Sequence, residues 1–438
     1  MKKYIVLSLK SVCAIGLCAI VGFLLLLLVY AFPTSSIHKH IGQSTVIFLT
    51  ERDYPRVHSW TDMWRDNYTD AIMIGHAGYE GRESILDKAL FVYRTNASYQ
   101  GNSLLPAETL IAVFSDDAYK DDPDFSFGRS NYSRYWHGYL ILLKPLLCLF
   151  TYGQIRTINA VLQTILLILA LYLMWKKNVK GMMIPFIVIW SVLIPMDTGA
   201  LLQYSDIYYI YTFGSIVLLI NFERLKTTNI VYYVFLGLGI ATGYFDFLTY
   251  PIVALSIPLG IYLFLNHSSS IKEELVQMLV LSAFWGMGYL GMWACKWILV
   301  SIFTDVKIMD IVFRSIGKWT SNVSDLGESV TFFSTVIRLF SVVIVNPAFQ
   351  VFILYTIVTG SLSIIFKKCK KRDFVVYGVL ALYPFLWFAV VKSHSYSHYW
   401  FTHKDLIAFC FALMLMFSSN LALISKKGGS KKKKRMSH

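Results

Sequence analysis

Long apolar runs separated by short polar stretches dominate the sequence. Apolar runs of about 17–25 residues are long enough to cross the hydrocarbon core of a bilayer. They must be helical there, because lipid offers backbone N–H and C=O groups no partners. The pattern predicts ten spans: Ser11–Phe32, Thr157–Trp175, Gly181–Met196, Ile207–Ile220, Ile230–Phe245, Thr249–Leu265, Val276–Ile298, Phe349–Phe366, Phe374–Val391 and Leu406–Ile424.

The composition agrees with this pattern. Hydrophobic residues make up 56% of the 438 residues and charged residues only 15%, whereas soluble globular domains are about 25% charged. We therefore expect an all-α polytopic membrane protein with about ten transmembrane helices and a large first extracytoplasmic loop.

The charges are divided unevenly between the two sets of loops. With ten spans, the loops on the side of both termini hold 21 basic and four acidic residues, a net charge of +17, and the rest of the chain carries −3. This is the positive-inside pattern, so both termini are predicted to be cytoplasmic in a plasma membrane. The Lys-rich tail is then an orientation signal on an anionic leaflet, and no nucleic acid is expected as a partner.

The predicted organisation has six parts. The first span is predicted to be a signal anchor, because its apolar run is longer than that of a cleaved signal peptide. Within the outer loop, Gly138–Thr151 is interrupted by Lys144-Pro145; a re-entrant or interfacial helix is predicted there, and a full crossing is the alternative. The parts are a signal-anchor helix (1–32), an extracytoplasmic subdomain (33–156), a transmembrane bundle (157–302), a second extracytoplasmic segment ending in an amphipathic stretch (303–348), C-terminal transmembrane helices (349–424) and a basic tail (425–438).

Acidic residues are densest early in the outer loop. Glu51 and Asp53 form a Glu-x-Asp pair. Asp62, Asp66 and Asp70 follow at i,i+4 spacing and would share one face of a continuous helix. Such a stripe is either a solvated helix face or a site at which one carboxylate acts as a general base or metal ligand, since like-charged neighbours raise carboxyl pKa values.

Basic residues near the membrane boundary suggest an anion site. Arg134 and His137 lie where the chain returns to the membrane, among aromatic residues that are also typical interfacial anchors. Lys296 lies near the outer end of its span, where it either snorkels to the interface or is functional. Asp246, between two spans, is either functional or a helix cap.

A third cluster is the histidine-rich segment from Lys392 to Lys404, which contains His394, His398 and His403. His394 and His398 have the i,i+4 spacing of a zinc site, but the metalloprotease motif is absent because no Glu lies between them. A phosphate-binding pocket and a plain interfacial belt are the other interpretations.

This layout resembles that of the GT-C-type membrane glycosyltransferases, which use polyprenyl-phosphate-linked sugars, and is closest to bacterial members that build cell-envelope polysaccharides. The resemblance implies a cytoplasmic N-terminus, a signal-anchor helix and a large first outer loop that carries an acidic motif. It implies Glu51 and Asp53, or Asp66 and Asp70, as catalytic acids. It also implies that Lys296, Arg134 and the segment His394–Lys404 bind the lipid phosphate.

The two placements of the acidic motif compete. The family pattern puts its acid soon after the first helix, which favours Asp53, whereas the denser constellation favours Asp66 and Asp70, and we predict the latter pair.

The expected function is therefore glycosyl transfer on the outer face, from a polyprenyl-phosphate donor to an envelope glycan or lipid acceptor. A requirement for a divalent cation is left open. Two alternatives remain: a transporter or flippase for lipid-linked sugars, and a non-catalytic scaffold of a polysaccharide assembly complex.

Overall fold

The chain is 76% helical. A computed structural model describes residues 2–56, 64–115, 118–266, 268 and 270–418. Its helices are α1 (Lys2–Tyr30), α2 (Ser35–Glu51), α3 (Asn67–Ala77), α4 (Ile85–Phe91), α5 (Pro106–Phe114), α6 (Ala118–Asp121), α7 (Leu140–Leu149), α8 (Tyr152–Lys176), α9 (Met183–Val192), α10 (Pro195–Ala200), α11 (Leu202–Thr227), α12 (Ile230–Phe245), α13 (Ile252–Leu265), α14 (Ile271–Phe303), α15 (Ile308–Thr320), α16 (Phe332–Val343), α17 (Pro347–Ile365), α18 (Lys371–Ala381), α19 (Tyr383–Val390), α20 (Lys392–Ser397) and α21 (Tyr399–Thr402). Its strands are β1 (Arg94–Tyr99), β2 (Asn102–Ser103) and β3 (Phe125–Ser130).

Seven helical stretches within the described residues are long and apolar enough to cross a membrane. They are Val6–Tyr30, Tyr152–Lys176, Leu202–Thr227, Ile271–Phe303, Pro347–Ile365, Lys371–Val390 and Tyr399–Ser418. Each overlaps one of the ten predicted spans. The other three predicted spans coincide with α9, α12 and α13, which are apolar but shorter. The protein is thus a helical, multi-pass membrane protein with seven long candidate spans.

The short helix α13 extends from one end of the bundle to the other. At its start, the Ile252 amide donates to Asp405, which lies near the beginning of the last long helical stretch, Tyr399–Ser418 (3.1 Å). At its end, Arg372 donates to the Leu263 carbonyl (2.8 Å) and forms an ion pair with Glu274. These contacts give the bundle two distinct ends: one at Asp405 and one at Arg372.

The loop after α1 folds into a subdomain of short helices and one small antiparallel sheet. Strand order is β2-β1-β3, with Ala97 opposite Phe127 and Ser98 opposite both Ser103 and Ser126. Although the largely helical content agrees with the all-α class, the sequence did not predict this sheet. Its first strand, Arg94–Tyr99, has no clear alternation of apolar and polar residues, so the sequence carried little strand signal.

The stretch that returns to the bundle after the subdomain forms α7. Ten residues rise only about 15 Å, about half the hydrocarbon core, which is the length expected of a re-entrant or interfacial helix. The helix passes through Pro145. Lys144 is buried and donates to the Ala77 carbonyl at the end of α3 (2.8 Å), and this contact ties α7 to the subdomain.

The segment between α14 and α17 contains two amphipathic helices. The predicted amphipathic stretch forms α16, and the preceding polar stretch contains α15, which the sequence analysis did not predict. Both helices pack against α20 with one side. Phe313 and Phe333 lie on their exposed sides, 64% and 73% exposed, as expected for helices at a membrane interface.

Candidate functional site

A cavity of about 350 Å³ lies at the Asp405 end of the bundle, between the subdomain and the segments around α15 and α20. Nine aromatic residues, four histidines and two cations contribute to its wall. Its lining includes Tyr54, Tyr68, Thr69, His76, Tyr132, Arg134, Tyr135, His137, Tyr139, Gln203, Phe247, Ser315, Lys318, Trp319, Asp325, His394, His398, Trp400 and Phe401. The cavity is thus built from several segments that are far apart in the chain.

Arg134 is held in place by aromatic rings. Its guanidinium carbon lies 4.7 Å from the ring centre of Tyr132, 5.2 Å from that of Tyr135 and 5.8 Å from that of Trp319. It donates to the hydroxyls of Tyr132 and Ser315, but its buried Nε has no partner in the described part of the chain. A fixed guanidinium with a donor to spare is suited to binding an anion.

Lys318 and Asp325 supply the opposite charges at the α15 side of the cavity. Their side chains form an ion pair of 3.1 Å; that of Lys318 is mostly exposed and that of Asp325 about one third exposed. Among the described residues that line the cavity, Asp325 is the one carboxylate. Neither residue was predicted from the sequence, because each lies in a polar stretch with no motif around it.

His76 and His137 share one hydroxyl. The Nδ1 atoms of both rings lie within hydrogen-bond distance of the Tyr139 hydroxyl, at 2.9 and 3.1 Å. Burial is the main cause that lowers the pKa of His137 to about 3 and that of His76 well below the usual value. Both imidazoles are therefore neutral. His76 was missed in the sequence, since an isolated histidine in a short helix carries no signal.

His394 and His398 lie where α20 ends, with stacked rings whose centres are 4.5 Å apart. His394 Nε2 bonds to the Leu248 carbonyl (2.9 Å), and His398 Nδ1 bonds to the His394 carbonyl (3.1 Å). Burial is the largest cause that lowers both pKa values. No group of three or more potential ligands for a metal ion occurs among the described residues, so the zinc interpretation finds no third ligand there.

Asp66 lies directly behind the cavity wall. It caps the start of α3 by accepting from the amide and hydroxyl of Thr69 (both 2.9 Å), and it accepts from the indole of Trp400 (3.0 Å). The predicted continuous helical face is wrong: α3 begins only at Asn67, because Asp66 adopts the non-helical backbone of a cap. Asp62 lies outside the described residues.

Asp70 is fully buried and faces the membrane helices instead of the cavity. Its carboxylate accepts from the Tyr152 hydroxyl and from the amides of Leu202 (2.8 Å) and Gln203 (3.3 Å) at the start of α11. Burial raises the pKa of Asp70 to about 7, although these donors act in the opposite direction. The geometry makes Asp70 a cap for α11.

Glu51 and Asp53 are also engaged in protein contacts. Glu51 forms ion pairs with Arg156 (2.8 Å) and Arg65 (3.3 Å), and these cations help to lower its pKa although burial opposes them. Asp53 accepts from the Ala107 amide in the first turn of α5 (3.2 Å), and burial raises its pKa. Neither residue lines the cavity.

Three predicted phosphate-binding residues also lie outside the cavity lining. Lys296 is fully buried and does not snorkel: it donates to the Ala89 carbonyl in the last turn of α4 (3.1 Å). His403 bonds to the Tyr399 carbonyl (2.9 Å), and Lys404 lies over the ring of Tyr204. Asp246, for which two interpretations were open, accepts from the amides of Leu248 and Thr249 and so caps the turn before α13.

Of the predicted site residues, the structure therefore brings Arg134, His137, His394 and His398 into one cavity, with Asp66 behind its wall. Their roles in binding or catalysis stay predictions. Comparison of the chain with known protein families, with curated proteins and with solved structures found no match.

Proposed function

We propose that this protein is a membrane glycosyltransferase that moves a sugar from a polyprenyl-phosphate donor to a glycan or lipid acceptor. The observation that carries the proposal is the cavity itself. It lies at one end of a membrane bundle and combines a fixed guanidinium, a lysine, many aromatic rings and a carboxylate. The cations suit a phosphate, and the rings and polar atoms suit a sugar.

In this proposal, Arg134 and Lys318 bind the phosphate of the donor at the level of the headgroups. An acceptor hydroxyl loses its proton to a base and attacks the anomeric carbon. The bond from that carbon to the phosphate oxygen breaks, and polyprenyl phosphate leaves with the electron pair. Asp66, which reaches the cavity wall through Trp400, and Asp325, which lines the cavity, are the two candidate bases.

The proposal includes a ten-span topology in a bacterial plasma membrane, with both termini cytoplasmic and the cavity outside. The positive charge of the loops near Arg372 and the end-to-end course of α13 support it. Single cysteines at Glu80 or Asp121 should react with an impermeant thiol reagent applied from outside, whereas a cysteine at Lys226 should not. Labelling at Lys226 from outside would overturn the topology.

The function is tested by incubating the purified protein with radiolabelled polyprenyl-phosphate sugars and envelope acceptors. Wild type should transfer the label, and Arg134→Gln should reduce transfer about 10–100-fold, because a charge-assisted hydrogen bond contributes roughly 1.5–3 kcal/mol.

Arg338→Gln is the matched control for the Arg134 variant. Arg338 also stacks on two tyrosines, Tyr396 and Tyr399, but it does not line the cavity. Absence of transfer by wild type from every polyprenyl-phosphate donor tested would refute the proposed function. Equal losses in the Arg134 and Arg338 variants would refute the assignment of the phosphate site.

A further inference from the structure

Two histidines of the cavity wall each keep a buried ring nitrogen without a partner in the described part of the chain: Nε2 of His76 and Nδ1 of His394. The His76 and His394 residues are only 1% and 8% exposed. A buried polar atom without a hydrogen bond costs about 1–3 kcal/mol, so each atom is a place where a ligand group would be stabilised. What that group must be depends on whether the nitrogen carries a proton.

The hydrogen-bond network fixes the proton on His76. His137 Nε2 lies 2.9 Å from the Tyr132 carbonyl, which can only accept, so the proton of this neutral ring is on Nε2. His137 Nδ1 must then accept the proton of the Tyr139 hydroxyl. The Tyr139 oxygen is left to accept from His76 Nδ1, which places the His76 proton on Nδ1 and a bare lone pair on Nε2.

The proton of His394 is fixed by a single contact. Its Nε2 faces the Leu248 carbonyl at 2.9 Å and must donate to it. In a neutral ring, Nδ1 therefore carries the lone pair. Burial is the main cause that keeps the pKa of both His76 and His394 well below the usual value, which agrees with neutral rings.

We propose that His76 Nε2 and His394 Nδ1 accept hydrogen bonds from hydroxyl groups of the bound ligand, so that these two histidines recognise its sugar. A lone pair attracts a hydroxyl proton and repels a phosphate oxygen. This assigns the phosphate to Arg134 and Lys318 and removes His394 from the phosphate-binding set expected from the sequence. His137 uses both ring nitrogens within the protein and orients His76. The inference rests on the proposed function only for the lipid-linked origin of the sugar.

Binding is measured by saturation-transfer NMR on the full-length protein in detergent, with a panel of hexose 1-phosphates, the free hexoses and inorganic phosphate as probes. Wild type should bind at least one hexose 1-phosphate. His76→Phe should weaken that binding about tenfold, the effect of one lost hydrogen bond, and leave binding of inorganic phosphate unchanged. His76→Gln should retain binding, because its amide oxygen can accept.

His40→Phe is the matched control. His40, like His76, uses Nδ1 in a hydrogen bond, in this case to the Leu147 carbonyl at 2.8 Å, but it does not line the cavity. The inference would be overturned if His76→Phe kept the wild-type affinity for hexose 1-phosphate, or if it lost affinity for inorganic phosphate by the same factor. It would also be overturned if the wild-type protein bound none of the hexose 1-phosphates.

A second measurement needs no destabilising variant. In wild type labelled with ¹⁵N-histidine, the His76 signal, assigned from its loss in His76→Gln, should show a proton on Nδ1 and a lone pair on Nε2 that responds to added hexose 1-phosphate. A protonated Nε2 would overturn the inference. If hexose binding depends on His76 but no transfer occurs, the inference stands and the glycosyltransferase proposal fails. If transfer occurs and His76→Phe leaves it unchanged, the glycosyltransferase proposal stands and the inference fails.

Discussion

Two polar regions lie side by side at the Asp405 end of the bundle, and they differ in how their polar atoms are used. The carboxylate joint, formed by Glu51, Asp70, Arg65, Arg156 and Asp197, connects the subdomain to the starts of α8 and α11. Its carboxylates accept from arginines, a tyrosine or backbone amides. In the cavity, His76, His394 and Arg134 each keep a buried nitrogen without a partner among the described residues, whereas among the described residues of the joint only Arg156 does, through its Nε.

The difference shows that charge density is a poor guide to the site. The joint is richer in acids, but its hydrogen bonds stabilise the docking of the subdomain and leave little for a ligand. The cavity holds fewer charges, yet buried nitrogen atoms of its side chains remain available for hydrogen bonds with a ligand. Asp66 lies at the boundary, since it caps α3 and also reaches the cavity wall through Trp400.

The largest expected effect separates the two candidate bases. Loss of a general base typically lowers the rate about 10²–10⁴-fold. We expect Asp66→Asn to reduce transfer from a lipid-linked donor by this factor while the protein stays folded, and Asp325→Asn to have a smaller effect. The assay compares initial rates of the two purified variants with those of wild type.

Asp53→Asn serves as the control for this experiment, because Asp53 caps α5 and does not line the cavity. If Asp325→Asn alone is inactive, the base belongs to the cavity and Asp66 is structural, like the carboxylates of the joint. If Asp53→Asn alone is inactive, the Glu-x-Asp placement is the right one.

A smaller effect is expected when the joint is broken. Arg156→Gln removes a partner of Glu51 and a cation 4.4 Å from the centre of the Tyr152 ring. The pair is only partly buried, so we expect a loss of about 2–3 kcal/mol in the free energy of unfolding, measured by denaturant titration in detergent.

The control for that measurement is Arg129→Gln. This change removes the ion pair between Arg129 and Glu83, and the Arg129 side chain is more exposed than that of Arg156. Exposed pairs contribute about 0–1 kcal/mol. Equal losses in the two variants would show that the joint contributes no more than a surface contact.

A further effect is a pH dependence that arises at Asp70. Its pKa is about 7 in the folded protein, against about 4 in the unfolded chain, so the folded state binds more protons between these values. Stability contributed by Asp70 is therefore lost as pH rises from 5 to 8. The stability of wild type minus that of Asp70→Asn should fall across this range.

Taking the difference between Asp70→Asn and wild type removes the contribution of the cavity histidines, whose lowered pKa values act in the opposite direction. A difference that stays constant from pH 5 to 8 would show that Asp70 is ionised throughout, as an ordinary surface carboxylate is.

The membrane class was predictable, because an apolar run of bilayer length leaves the backbone no alternative to a helix. Seven predicted spans coincide with long helices, whereas α9, α12 and α13 were predicted as spans but are shorter. The amphipathic α16 was also predictable from its periodicity. The small sheet was not, since its first strand lies in a polar stretch without alternation. Helix α15 was missed although its amphipathic periodicity is as clear as that of α16.

The candidate site was predictable only in part. Arg134 and the histidines of α20 stood out because charges and imidazoles beside apolar runs are costly and therefore informative. Lys296 stood out for the same reason, yet it bonds to the end of α4. His76, Lys318 and Asp325 gave no local signal, because their importance depends on the other segments that face them.

The sequence by itself thus determined the helical, multi-pass architecture and the uneven distribution of charge, since both follow from the free energy of placing each residue in lipid or water. Only the tertiary structure decided which polar groups are satisfied. A carboxylate such as Asp70 is a helix cap because Leu202 lies against it, and His76 keeps a free lone pair because Tyr139 and His137 occupy its other side. Hydrogen bonds between residues far apart in the chain fix these roles, and no local pattern encodes them.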